Sequence, residues 1–218
     1  GMNRANVLAH FSHAGVDDMA DDRCHFGTSI FFADNDFCEE DGRRLYFPAD
    51  HHQMRAVIEE IFDHPGLRFV FSTRSATPEI LRPDGKPHFA AAEGYRFVPG
   101  KDEIIRAGTN GYVVSYGEML YRCLDVVEKL RGEGVDVGLI NKPTLNAVDD
   151  KMMAYLSGAQ FVLVVETQNW KSGLGSGFGT HLLEHGGRPI YDHMGAVRGG
   201  AGGLGEQVDH QGLSQANI

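Results

Sequence analysis

Phe161–Glu166 is an unbroken apolar run, Phe-Val-Leu-Val-Val, closed by a single glutamate. A strand apolar on both faces must be covered on both faces, which points to the interior of a parallel sheet with helices packed on each side. The surrounding pattern agrees. Arg44–Phe47 reads as a short strand closed by Pro48. Asp50 is placed to cap a helix over His51–Phe62, where Met54, Val57, Ile58 and Ile61 form one apolar stripe, and Leu67–Ser72 is the next strand. This β-α-β succession predicts an α/β fold with parallel strands. A second unit repeats the alternation. Asn110–Ser115 is a strand, and Gly117–Arg131 is a helix with Met119, Leu120, Cys123, Val126, Val127 and Leu130 on its inner side. Gly132 and Gly134 stop it, and Val135–Ile140 is the following strand. Asp149–Leu156 reads as a short helix, Gly173–Leu183 as a glycine-rich turn that becomes a helix, and Pro189–Tyr191 as a last strand. Near the start, Val7–Ser12 reads as a buried strand. Pro78, Pro83, Pro87 and Pro99 mark residues 76–107 as a linker between residues 1–75 and 108–218.

A net charge of −10 over 218 residues argues against a general nucleic-acid surface. No apolar run reaches the ~18 residues of a membrane helix, and the front of the chain has no apolar signal core. Cys24, Cys38 and Cys123 are odd in number and lack metal-type spacing, so a reduced, cytoplasmic chain is expected. Gly1-Met2 reads as a scar before a starting methionine.

Several groups could carry chemistry. His13, Asp21 and His25 follow the first strand within thirteen residues. Two imidazoles and a carboxylate can move protons near neutral pH, bind a metal or hold a polyhydroxylated ligand; a solvated acidic loop is the plain alternative. Arg74 follows the strand Leu67–Ser72, where a guanidinium can clamp a phosphate or carboxylate, or simply pair with a surface acid. The turn Gly173-Leu-Gly175-Ser-Gly177-Phe-Gly179 misses the dinucleotide fingerprint, so close helix–strand packing is the default for it. His181-Leu-Leu-Glu184-His185 matches a zinc-protease pattern but needs a third ligand, and the glycine-rich tail offers no convincing helix to bring one. Asp149-Asp150 reads as a helix cap, and Trp170 as a polar-loop aromatic that could anchor an interface.

Taken together these segments resemble the transketolase-like thiamine diphosphate enzymes, which include transketolase and the β subunits of 2-oxo acid dehydrogenases. Val113-Val-Ser-Tyr-Gly-Glu-Met, Gly134-Val-Asp-Val-Gly-Leu-Ile, Phe161–Glu166 and the ending Gly212-Leu-Ser-Gln-Ala-Asn-Ile are similar to the family's C-terminal domain. His13, Asp21 and His25 match its His-x7-Asp-x3-His substrate loop, Leu45–Asp50 its strand and Pro-Ala-Asp helix start, and Arg74 its Ser-Arg. The resemblance implies a truncated parallel-sheet pyrimidine-binding domain over 1–75, followed by a smaller α/β C-terminal domain. It implies transfer of a two-carbon unit from a ketose phosphate. His25 would assist proton transfer, His13 and Asp21 would contact the sugar, and Arg74 would hold its phosphate. Thiamine diphosphate and Mg²⁺ are implied for the complete enzyme, with none expected on this chain alone. The family's diphosphate-binding domain and its cofactor-activating glutamate have no counterpart here. The chain therefore reads as a C-terminal fragment or subunit, inactive alone, that forms a homodimer or joins a larger cofactor-binding subunit. The family loop reads Gly-Glu-Asp-Gly-Pro-Thr-His, whereas this chain has Met19-Ala-Asp21-Asp-Arg-Cys-His25. That departure keeps open a non-catalytic binding or assembly module, or a 2-oxo acid dehydrogenase β-like subunit.

Overall fold

The computed structural model of the chain describes residues 6–12, 44–73, 75–197 and 206–218. Its first sheet holds three parallel strands, β1 (Val7–Ser12), β2 (Arg44–Tyr46) and β3 (Leu67–Ser72), in the order β1-β3-β2. Helix α1 (His51–Ile61) makes the crossover from β2 to β3. Asp50 caps it, accepting from Gln53 N at 2.8 Å, and Val57 and Ile61 face inward one turn apart. Met54 and Ile58 flank them, as the apolar stripe predicts. Strand β1 differs from its reading. It pairs with β3 on one side only among the described residues, and Val7 and Phe11 stay exposed, so it is an edge strand and not a buried one.

Residues 76–102 contain only one short 3₁₀ turn, at Ala91–Glu93, as their prolines foretell. They are nonetheless folded onto both sheets. Ile80 and Phe89 lie in the apolar cluster of the second sheet, and Phe97 packs in the cluster around α1. Composition reported the lack of regular elements there; it carried no information on packing.

The second sheet has five strands in the order β4-β6-β5-β7-β8. These are β4 (Glu103–Arg106), β5 (Gly111–Ser115), β6 (Val137–Asn141), β7 (Phe161–Asn169) and β8 (Ile190–Ala196). All pair in parallel except β4, an antiparallel edge within the stretch read as linker. Helices α2 (Met119–Gly132), α3 (Asp150–Leu156), α4 (Leu174–Glu184) and α5 (Glu206–His210) complete the chain. Alternate residues of each strand serve opposite layers. Val113, Leu139 and Val165 meet α2 through Leu120, Cys123 and Val127, whereas Val114, Ile140 and Val164 meet α3 and α4 through Met153, Leu156, Phe178 and Leu182. Strand β7 sits between β5 and β8 and sends Val165 into one apolar layer and Val162 and Val164 into the other, the two-faced cover its apolar run requires.

The sheets meet at the end of β2. Leu145 N donates to Leu45 O at 2.8 Å, and Phe47 N to Pro143 O at 2.8 Å. The Phe47 ring stacks on Phe71 of β3, with centroids 4.3 Å apart, and meets Tyr116 edge-on at 5.0 Å. Gly117 N donates to Phe47 O at 3.2 Å from a left-handed turn (φ 56°), a conformation glycine adopts without strain. Among the described residues no helix is long and apolar enough to cross a membrane.

Candidate functional site

In an open parallel sheet the crevice past the carboxyl ends of the strands is where ligands bind. Here that crevice is a cleft of about 370 Å³ beyond β2 and β3. Pro48, Asp50, His51 and Met54 line it after β2, Ser72 at the end of β3, Thr73 and Thr77 after it, and Glu118 at the start of α2 (Met119–Gly132). Ser72 Oγ lies 2.8 Å from His10 Nε2 on β1. Thr73 Oγ1 donates to Ser75 O at 3.2 Å. Glu118 is buried and accepts from the Thr167 hydroxyl at the end of β7.

His13, Asp21, His25 and Arg74 all lie outside the described residues. In sequence His13 follows the last residue of β1, and Arg74 comes two residues after the end of β3. Ser12 and Ser72 are register partners in the β1–β3 pair.

Asp50 does more than cap α1. It is 3% exposed, with Oδ1 accepting from Gln53 N at 2.8 Å and Oδ2 from Ile80 N at 2.9 Å. One carboxylate thus fastens the helix start to the loop after β3. That fastening brings Glu79 against His51 and His52, with Glu79 Oε1 3.6 Å from His51 Nε2 and 3.3 Å from His52 Nε2. This is the one group of three metal-type ligands among the described residues.

The glycine-rich turn holds a carboxyl group, and that group is the protein's own. Glu166 is fully buried and accepts from Tyr116 Oη at 2.6 Å, Leu174 N at 2.9 Å and Gly175 N at 2.8 Å. Burial raises its pKa, and these three donors oppose the rise. Three of the turn's glycines are packing requirements, whereas a Cβ on Gly177 would meet nothing within 4 Å. A Cβ on Gly173 would sit 2.2 Å from the Glu166 carboxylate, one on Gly175 2.5 Å from His193, and one on Gly179 2.8 Å from Tyr191.

The zinc-protease pattern is not assembled. His181 Nδ1 lies 3.1 Å from Glu184 in its own helix, and His185 Nε2 3.1 Å from Asp150 on α3, with no third ligand among the described residues. Asp149 is the cap of α3 as read, accepting from Lys151 N at 3.2 Å, and it also takes Lys101 Nζ at 3.1 Å. Trp170 is partly exposed and stacks on His193 with centroids 5.2 Å apart.

Sequence reasoning missed a buried network joining the two sheets. Glu103 on β4 accepts from Tyr95 Oη at 2.6 Å, from Gln53 Nε2 at 2.9 Å and from Asn141 Nδ2 at 2.9 Å. Burial pushes its pKa up to about 7, against the lowering effect of those hydrogen bonds. Nearby, Lys142 Nζ and Asp102 Oδ1 form a buried ion pair at 3.1 Å. Gln53 at the head of the helix's inward face, one turn before Val57, was the available signal, since a buried polar side chain must find partners.

Residues 100–218 match the family model for the transketolase C-terminal domain, more than half of the chain. The chain belongs to the transketolase family. An apulose-4-phosphate transketolase subunit of Actinobacillus succinogenes is 25% identical over 179 residues, 80% of this chain and 54% of the relative. 1-Deoxy-D-xylulose-5-phosphate synthase of Rhodopirellula baltica is 38% identical over 80 residues, 36% of this chain and 12% of the synthase. A solved chain described as a split-gene transketolase in an inactive β4 tetramer superposes with a TM-score of 0.78 at 21% identity. The match covers 98% of this chain and 65% of that one, a likeness of fold. The chain therefore spans about half the length of the transketolase subunit it matches. The α/β reading and the transketolase resemblance both hold.

Proposed function

We propose that this chain is the substrate-loop and C-terminal portion of a transketolase-type enzyme that moves a two-carbon unit between sugar phosphates. The carrying observation is the family match over residues 100–218, joined to a cleft at the strand ends of the first sheet. By the resemblance, His25 assists proton transfer, His13 and Asp21 orient sugar hydroxyls, and Arg74 holds the phosphate.

The thiamine diphosphate is assigned to a partner. A diphosphate favours helix N-termini, where backbone N–H groups are free. In the described residues the starts of α1, α3 and α4 are each taken by the chain's own carboxylate, Asp50, Asp149 and Glu166. A diphosphate placed there would meet like charge. These three helix starts are thus already occupied, which supports a cofactor site on a partner. One relative is named as a subunit and one structural neighbour as a split-gene assembly, which supports a second copy or a larger cofactor-binding subunit as the partner.

The test has two arms. Isothermal titration of the isolated chain with thiamine diphosphate and Mg²⁺ should show no micromolar binding. The chain reconstituted with a thiamine diphosphate-binding subunit should transfer two-carbon units from a ketose phosphate donor to an aldose phosphate acceptor, and His25→Ala should slow that transfer by about 10²-fold or more. Micromolar cofactor binding by the isolated chain would overturn the partner assignment. A full rate with His25→Ala would overturn the catalytic one and leave the assembly-module reading, which the altered loop Met19–Cys24 favours.

A further inference from the structure

We infer that His51, His52 and Glu79 form a binding site for a first-row divalent cation of the zinc class at the rim of the cleft. Three observations carry this. First, the spacing suits a shared ion better than a hydrogen bond. Charge-assisted N–H···O contacts shorten to about 2.7–2.9 Å. Glu79 Oε1 stands instead at 3.6 Å from His51 Nε2 and 3.3 Å from His52 Nε2. Two ligands each about 2.1 Å from a tetrahedral zinc ion are ~3.4 Å apart, so these separations are those of ligands around a common centre. All three ligand atoms lie within 4.8 Å of one another.

Second, the site is held from behind. Asp50 binds Gln53 N with one oxygen and Ile80 N with the other, so a single buried carboxylate fixes both halves of the ligand set. The loop that carries Glu79 is pinned again where His88 N donates to Ile80 O at 2.7 Å. Rigid support of this kind lowers the ordering cost of binding. Asp50 lines the same cleft as His51, and its charge offsets the positive end of α1.

Third, the donor set is selective. Two imidazoles and one carboxylate suit Zn²⁺ and its neighbours in the first transition row, not Mg²⁺ or Ca²⁺, which take oxygen ligands. Three protein ligands leave at least one coordination position open. His51 lines the cleft itself, so an oxygen of a hydroxyl or phosphate group held in the cleft can complete the shell. The site does not depend on the two-carbon-transfer reading, and its test does not measure that activity.

The experiment titrates the tag-free, metal-stripped chain with Zn²⁺ by calorimetry and with Co²⁺ by visible absorption. One equivalent should bind with micromolar affinity, give a Co²⁺ spectrum of low coordination number, and raise the unfolding temperature. Glu79→Gln and the double variant His51→Ala/His52→Ala should each weaken that binding at least about tenfold, on the scale of losing a support to a metal site. His185→Ala should leave it unchanged, because that histidine pairs with Asp150 elsewhere. The Glu79 side chain is exposed, so Glu79→Gln leaves the packing intact and decides the matter alone if the double variant folds poorly. Zinc bound as tightly by Glu79→Gln as by the native chain would overturn the assignment. So would the absence of binding below millimolar Zn²⁺, or loss of binding in His185→Ala.

Discussion

Glu103 should make the stability of this chain depend on pH through neutral. Its carboxyl is enclosed by Tyr95, Gln53 and Asn141, all of them neutral donors, with Asp102 as a nearby like charge. Burial outweighs the three hydrogen bonds and raises the pKa from 4.5 to about 7. A folded-state pKa above the unfolded one means that the native state holds the proton more tightly. The stability this contributes is complete below the unfolded value of 4.5 and is lost as pH climbs through the folded value of about 7. At about 1.4 kcal/mol per pK unit the full loss is roughly 3 kcal/mol. Glu103→Gln keeps the shape and removes the titration. Urea unfolding of both proteins at steps from pH 4 to 9 yields a difference profile in which every other titrating group cancels. The variant should gain on the native chain across the window from about 4.5 to 7 and hold a constant advantage above it. With a urea slope of about 2 kcal/mol per molar, the total gain is ~1.5 M in midpoint. A difference profile that stays flat from pH 4 to 9 would refute the reasoning, because it would mean that Glu103 titrates alike folded and unfolded.

Glu166→Ala should cost about 3–5 kcal/mol in urea unfolding, since it strands the Tyr116 hydroxyl and two backbone N–H groups at the start of α4. Gly173→Ala should cost at least about 2 kcal/mol by the same measurement, because the new Cβ would lie 2.2 Å from that carboxylate; an unchanged midpoint would show that the turn can move aside. Lys142→Met leaves Asp102 buried without its cation and should destabilise by about 3–5 kcal/mol, whereas Lys142→Met with Asp102→Leu should recover most of the loss. The Cys123 thiol is buried and pushed up to about 12, so peptide mapping after iodoacetamide at pH 8 should find it unmodified in the native chain and modified once urea unfolds it.

The fold was legible where one periodicity served one purpose. Val57 and Ile61 face inward because a helix brings such positions together, and Phe161–Glu166 is covered on both faces because both are apolar. Strand β4 was hidden because its four residues, Glu-Ile-Ile-Arg, mix two apolar and two charged side chains, and its half-buried glutamate is satisfied only through a network with three residues outside the strand. Strand β1 misled for the converse reason. Its apolar residues say that it could be buried, but burial depends on neighbours that composition does not name.

The same limit separates the two groups of histidines. His13, Asp21 and His25 stand out by spacing, and a family's loop gives that spacing a meaning that the described residues do not address. His51 and His52 carry no spacing signal toward Glu79, twenty-seven residues on from His52. Their meeting is decided by Asp50, which reads in sequence as an ordinary helix cap and satisfies that reading with one oxygen. Its other oxygen turns a local cap into a tertiary clamp, and the clamp is what sets a carboxylate against two imidazoles at the edge of the cleft. A cap motif leaves one lone-pair set of its carboxylate unassigned, and where the residue is buried that remainder must find a donor elsewhere in the chain. Buried caps are thus the places where a local sequence signal most strongly implies a distant partner, without revealing which one.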